Sequence, residues 1–397
     1  MNASLPINIR MLELRQKLYL VGLLELACEK LDITQSERNN AENCYTAVGK
    51  WLSDGDNAYL MNSTIYTQGS IRIGTAIRPI ASNEFDVDLV CHLPNAGLLS
   101  PNQVRDLIGN RLKANGTYDG MLEPLNRGWR LVYANQFHMD ITPSIADARQ
   151  PGSILVPDRQ LRDWKESNPK GYAKWFEDIA NSEPAFLFKE AAVRADVEAM
   201  PDEIKFKGTL RRIVQLMKRH RDVWCSKQSA EVQCDAPISI ILTTLAAKAY
   251  LSFLNNRYDN PLDLLLDVVE DMPTYIEQRQ NSYGDMEPWV SNPMNDLENF
   301  ADKWKAKPQR EVAFYKWHQE FLLELNAIVI KPGIDSMASG LGKLLDESIS
   351  KSVMLEITRR TNLNRNNRSL VTGSNGVITT IGANSSKAIP TNTFFGN

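Results

Sequence analysis

Two aspartates, Asp86 and Asp88, stand two residues apart inside the apolar run EFDVDLVCHL. In a strand, residues i and i+2 point to the same face. Phe85, Val87 and Leu89 then fall on one side and both carboxylates on the other. Two negative charges side by side are costly unless a cation lies between them. The spacing asks for a sheet with one apolar face and one face that attracts positive charge. A lone acid-x-acid pair also serves as a solvated strand face or as protection of a sheet edge, so its neighbours in sequence carry the argument.

Upstream lies Gln68-Gly69-Ser70, followed by IRIGTAIRP. A Gly-Ser turn offers backbone N–H groups and a hydroxyl to phosphate oxygens. Glycine at positions 69 and 74 lets a ligand approach the backbone closely, and Arg72 and Arg78 can neutralise phosphate charge. Together with the acidic pair, the segment describes a place to hold a metal–nucleoside triphosphate complex. Two-metal phosphoryl transfer needs a further carboxylate. Asp140 is the candidate, because it sits in FHMDITP with Phe137, Met139 and Ile141 alternating against His138, Asp140 and Thr142. Asp54, Asp56 and Asp147 compete, but turn-like sequence accounts for them.

The bulk properties narrow the class. A chain of 397 residues is long enough for about two domains. The net charge of −3 makes any basic groove local and argues against a general nucleic-acid binder. Five cysteines without a CxxC pair and four scattered histidines give neither a disulfide framework nor a zinc site. A reducing cytoplasm is the simplest reading. The first residues lack a signal-peptide pattern. The most apolar run, Ile238 to Leu254, is short and interrupted by Lys248, so it reads as a buried helix, and no membrane segment is expected.

Along the chain, residues 8–53 read as helical. Strand-and-turn texture follows from Ile65, and Pro101 to Ala114 reads as helix. RLVYANQFHMDITPSI supplies two strands, and Gly152 to Pro157 reads as a switch between lobes. Lys207–Val223, Ser239–Leu254, Glu311–Val329 and Met337–Ile357 read as helices. The expected organisation is a mixed α/β lobe over residues 1–157, a mainly helical lobe over 158–362 and a mobile tail over 363–397, rich in Asn, Ser, Thr and Gly.

The Gly-Ser helix start, the acid-x-acid strand and the third acid on a later strand resemble the polymerase-beta-like nucleotidyltransferase superfamily. Gln68-Gly69-Ser70, Gly74-Thr75, Pro79 and Asp86/Asp88 look most similar to the CD-NTases, bacterial relatives of cyclic GMP-AMP synthase found in anti-phage (CBASS) operons. The resemblance implies an α+β fold: a polymerase-beta-like core of mixed sheet and helices, a helical second lobe, and an active site in the cleft between them. It implies catalysis by Asp86, Asp88 and Asp140 with two Mg²⁺ or Mn²⁺ ions held by the same three residues. Gln68, Gly69, Ser70, Lys218 and Ser239 would bind nucleotide. The substrates would be ATP and other nucleoside triphosphates, and the product a cyclic di- or oligonucleotide.

Lys218 and Ser239 keep two readings. Relatives place a lysine and a serine here on the triphosphate tail. Lys218 is otherwise one solvated charge in Lys218–Arg221, and Ser239 a helix cap. Where relatives stack a base after that serine, this chain has Ile240, so base recognition does not carry over. Trp164, Trp175 and Trp224 suit base stacking or core packing. The ending Phe394-Phe395-Gly396 is similar to tails conjugated by a ubiquitin-transfer-like enzyme, although Asn397 departs from that pattern. Accessory partners of that kind or of HORMA type are implied, and a nucleic-acid activator is not indicated. A linear or RNA-adding nucleotidyltransferase shares the metal site. A non-catalytic sensor would be expected to have lost one of the acids, and a plain structural protein leaves the spacing unexplained.

Overall fold

The computed structural model describes residues 10, 13–54, 57–80, 84–160, 162–186, 208–281, 284–328 and 334–366, and three short strands beyond them. The chain opens with helices α1 (Leu14–Leu31) and α2 (Gln35–Ser53). Thr34 and Glu37 exchange side-chain and backbone hydrogen bonds across the start of α2, a reciprocal cap that satisfies amides with no partner inside the helix. Strand β1 (Thr64–Thr67) leads directly into a one-turn helix, α3 (Gly69–Ile73). Strand β2 (Phe85–His92), helices α4 (Pro101–Lys113) and α5 (Gly116–Asp119), and strands β3 (Leu122–Pro124), β4 (Trp129–Tyr133) and β5 (Phe137–Ala146) follow. Strands β6 (Ile154–Asp158) and β7 (Asp163–Ser167) form a hairpin, and helix α6 is Pro169–Ala180.

These seven strands make one mixed sheet in the order β1-β2-β5-β4-β3, with β6 joined to β5 and β7 to β6. Only β2 and β5 run parallel; the other pairs are antiparallel. Alternation along β2 and β5 buries Phe85, Val87, Leu89, Phe137, Met139 and Ile141 on one face. Val104, Ile108 and Leu112 of α4 and Val48 and Leu52 of α2 cover that face. The opposite face carries the acidic residues. The stretch 152–157, expected to separate lobes, instead enters β6 and extends the sheet.

The second core is helical. Helices α7 (Thr209–Ser226) and α8 (Ser239–Phe253) run through its centre, with further helices at Pro261–Asp271, Gln309–Ala327, Ile334–Leu345 and Glu347–Asn366. Leu20, Leu24 and Leu31 of α1 belong to this core, so the first helix buries its leucine stripe away from the sheet it was expected to accompany. The single helix expected over 337–357 is two helices. They break at Asp346, whose φ is +85°. Asp346 Oδ1 accepts from the Ser348 and Ile349 amides and caps the second helix. That helix continues past residue 362 to Asn366. Val371–Thr372 then pairs with both Ile378–Thr379 and Lys387–Ala388. Phe394, Phe395, Gly396 and Asp56 lie outside the described residues. Among those described, no helix is long and apolar enough to cross a membrane.

Candidate active site

Register builds the acidic face. On the parallel neighbours β2 and β5, Asp88 stands opposite Asp140, and Asp86 opposite His138. Antiparallel β4 sets Arg130 opposite Asp140, and β3 sets Glu123 opposite Arg130. Opposed residues place their side chains on one face about 4.5–5.5 Å apart. The three sequence-selected carboxylates are therefore neighbours, although Asp86 and Asp140 are more than fifty positions apart in the chain.

Asp140 is gripped by an arginine. Arg130 donates from Nε to Asp140 Oδ1 at 2.6 Å and from Nη2 to Asp140 Oδ2 at 2.8 Å. The same Nη2 reaches Asp86 Oδ1 at 3.3 Å. His138 turns Nε2 to Glu84 Oε2 at 2.5 Å, and its Nδ1 lies 3.6 Å from Asp86 Oδ1. Among the described residues, no three His, Cys, Asp or Glu side chains stand together as a ready-made metal cage. The forked guanidinium supplies a physical reason, since it draws Asp140 onto itself.

Asp88 lies deepest of the three. Burial, then the nearby charges of Asp140 and Asp86, push its carboxyl up to about 7, with Lys218 and Arg130 opposing. A carboxylate held back from ionising by its own neighbours is chemically suited to a divalent cation, which would relieve the repulsion. The residues present thus fit such an ion in type, and strand register sets them side by side on one face of the sheet.

The Gly-Ser turn abuts this acid. Gly69 has φ +62°, and a Cβ built on it would lie 2.2 Å from Asp88 Oδ2. Only glycine accepts both constraints. The Gln68 amide donates to the Asp88 carbonyl at 2.8 Å, and the Thr75 amide donates to the Ser70 carbonyl at 2.9 Å. The loop is thereby laced to β2 and to its own start.

Lys218 is buried, not solvated. Its Nζ donates to Thr75 O at 3.1 Å and to Thr75 Oγ1 at 3.2 Å. Burial first, then Arg221, pulls its ammonium down to about 8. Arg219 and His220 of the same run are buried too. Ser239 is the first residue of α8, but Ile238 occupies the cap position. Its Oγ accepts from Arg221 Nη2 at 3.2 Å, and Arg221 Nη1 donates to Pro237 O. The run Lys218–Arg221 therefore ties α7 to Thr75, just after α3, at one end and to the start of α8 at the other.

Ile238 and Ile240, either side of Ser239, line a cavity of about 720 Å³ with Asn126, Arg127, Phe300 and Trp304. None of the three carboxylates lines it. Trp175 is half-buried against the helical core and Trp224 is buried within it, its Nε1 donating to Glu320. Trp164 packs at the edge of the sheet core. Sequence reasoning missed Arg130 and Glu84, and it named His138 and Thr75 only as strand and motif positions, without their partners. Arg130 alternates with buried Trp129 and Leu131, which marks its face, but its opposition to Asp140 exists only once β4 and β5 pair.

Residues 22–180 match the family model described as the Second Messenger Oligonucleotide or Dinucleotide Synthetase domain. The chain is 33% identical over 318 residues to a c-di-GMP synthase of Roseivirga ehrenbergii, covering 78% of each chain. It is 23% identical over 210 residues to a cyclic AMP-AMP-AMP synthase of an Acinetobacter species, covering 52% of this chain and 51% of that one. Its fold is similar to that of the Bradyrhizobium diazoefficiens CD-NTase CdnG solved with GTP. There the TM-score is 0.65 at 18% identity, over 85% of this chain and 98% of the other. The Vibrio cholerae DncV structure bound to 3'-deoxy GTP gives 0.57 at 14% identity, over 82% and 94%.

Proposed function

The chain belongs to the CD-NTase family of nucleotidyltransferases and is a cyclic oligonucleotide synthase, and we propose that its Asp86–Asp88–Asp140 face joins two GTP molecules into a cyclic dinucleotide for anti-phage (CBASS) signalling. The observation that carries the site is the parallel register of Asp88 against Asp140, with Gly69 packed against Asp88. The preference for GTP and for a ring of two rests on the named product of the Roseivirga relative.

Asp86, Asp88 and Asp140 would hold two Mg²⁺ or Mn²⁺ ions, which supply Lewis-acid activation of a ribose hydroxyl and neutralise charge on the departing pyrophosphate. Asp140 takes the proton of the attacking hydroxyl at a carboxylate oxygen. A bond forms between the ribose hydroxyl oxygen and the α-phosphorus of the donor, the bond from the α-phosphorus to the α–β bridging oxygen breaks, and pyrophosphate leaves with that oxygen and its electron pair. A second transfer in the same site closes the ring and releases a second pyrophosphate. Gln68, Gly69 and Ser70 cradle the donor's β- and γ-phosphates, helped by Lys218 and Ser239. Lys218 exchanges Thr75 for phosphate oxygens. The cavity beside Ser239 takes a base between its aliphatic and aromatic walls. Orientation of two bound nucleotides, rather than covalent chemistry, lowers the barrier.

A HORMA-type protein is proposed as a partner, because a fold neighbour, CdnC of E. coli, has been solved in complex with one.

The test is incubation with labelled GTP, ATP, CTP and UTP, singly and mixed, with Mg²⁺ or Mn²⁺, followed by phosphatase. A phosphatase-resistant product from GTP alone, absent in Asp86→Ala/Asp88→Ala, is expected. Phosphatase-sensitive ladders would assign linear synthesis, and no turnover under any mixture would assign a sensor.

A further inference from the structure

A single row of charges crosses the sheet: Asp88 on β2, Asp140 on β5, Arg130 on β4 and Glu123 on β3, each opposite the next in register. Arg130 is the one cation in this row, and it has a carboxylate on each side. It is turned to Asp140, where both carboxylate oxygens receive its fork at 2.6 and 2.8 Å, and its Nη2 extends to Asp86 at 3.3 Å. Glu123, on the far side, is exposed.

We propose that Arg130 is a resident counter-cation that keeps the acidic site closed to divalent ions, and that it opens the site by swinging from Asp140 to Glu123. The inference rests on the reading that Asp86, Asp88 and Asp140 hold divalent metal. A guanidinium forked onto Asp140 and touching Asp86 puts a full positive charge between two of the expected ligands. A divalent ion brought to the same carboxylates meets that charge at short range, so the two cations exclude each other. Forked arginine–carboxylate pairs are among the strongest charge-assisted hydrogen bonds, so bare metal must displace a well-made partner. A metal–nucleotide complex also binds through its phosphates, at Gly69, Ser70 and Lys218, and can support the exchange. Glu123 makes it cheaper still, because the departing guanidinium need not be left without a counter-charge. Arg130 is thus a positioning residue: it sets when the acids are free, and it makes metal loading depend on nucleotide.

The test is Mn²⁺ titration of the whole chain without nucleotide, read by electron paramagnetic resonance of the free ion. Arg130→Gln is expected to bind Mn²⁺ about tenfold or more tightly than the unaltered chain, and Arg130→Lys, which keeps the charge but loses the fork, to fall between them. Equal or weaker Mn²⁺ binding by Arg130→Gln, in a variant whose circular dichroism and thermal unfolding remain cooperative, overturns the proposal. Glu123→Gln is expected to weaken Mn²⁺ binding severalfold in the unaltered chain and to have no effect beside Arg130→Gln. An equal loss in both backgrounds removes the swing. Asp88→Asn separates the two levels of the argument. If it leaves Mn²⁺ affinity unchanged in every background, the acids are not the metal site and both readings fall. If it abolishes tight binding while Arg130→Gln changes nothing, the site reading stands and only the Arg130 proposal fails.

Discussion

A methyl group at position 69 would collide with Asp88 Oδ2 at 2.2 Å, on a backbone whose φ of +62° already disfavours any side chain. Gly69→Ala is therefore expected to cost about 1–3 kcal/mol of stability and to abolish product formation, because the collision pushes on the deepest carboxylate. Urea unfolding and nucleotide turnover check both parts, and an active, equally stable variant would refute the close approach. Asp88 makes a separate prediction about pH. Its folded-state pKa, about 7, lies above its ordinary value of 3.8. Between those values the folded chain keeps a proton that the unfolded chain has lost, so stability falls as pH rises through that window. In chelator, unfolding free energy is expected to drop by a few kcal/mol in order of magnitude between pH 4 and pH 8, and Asp88→Asn to flatten that slope. A slope unchanged in Asp88→Asn assigns the dependence to other groups. Asp86, Asp88 and Asp140 could be picked from the sequence because strand alternation separates them from Phe85, Val87, Met139 and Ile141. Arg130 could not, since its partner is chosen by strand pairing and not by its neighbours in the chain.

At the level of elements, α7 explains why a basic run is buried. Its Arg212 donates to Glu25 Oε1 at 2.7 Å and to both Asp32 oxygens at 2.9 Å, fastening α1 to α7. Arg219 bonds the Leu345 carbonyl and Asp346, at the break between the last two long helices. A run of Lys, Arg, His and Arg reads as solvated until its partners are seen: Thr75 for Lys218, Leu345 and Asp346 for Arg219, Glu324 for His220, and Pro237 and Ser239 for Arg221. Arg212→Ala should cost about 3–5 kcal/mol by leaving Glu25 buried without its partner. Glu25→Gln should restore part of that loss in the double variant, by thermal unfolding of all three. Strict additivity would show that the pair does not act as a unit. The break at Asp346 was not legible either, because the apolar stripe runs through it. A left-handed backbone at a non-glycine residue leaves no mark in hydrophobic periodicity.

For the whole molecule, the two-part texture of the chain was readable, but the placement of α1 was not. Its stripe of leucines has no address in sequence, and it packs with helices from the C-terminal half. Sequence order suggested one lobe for residues 1–157; packing divides α1 from α2. The lysine expected at the triphosphate is likewise brought to Thr75 only by α7, and the serine meets Arg221 of that helix only through the start of α8. The account as a whole depends on Asp86, Asp88 and Asp140 releasing Arg130 and closing on divalent ions. Crystals grown with Mn²⁺ and a non-hydrolysable GTP analogue, measured at the manganese absorption edge, test this most directly. Anomalous peaks with oxygens of all three aspartates at about 2.0–2.3 Å, and Arg130 no longer forked on Asp140, are the expected result. Bound nucleotide with Arg130 still on Asp140, and manganese elsewhere or absent, would contradict it.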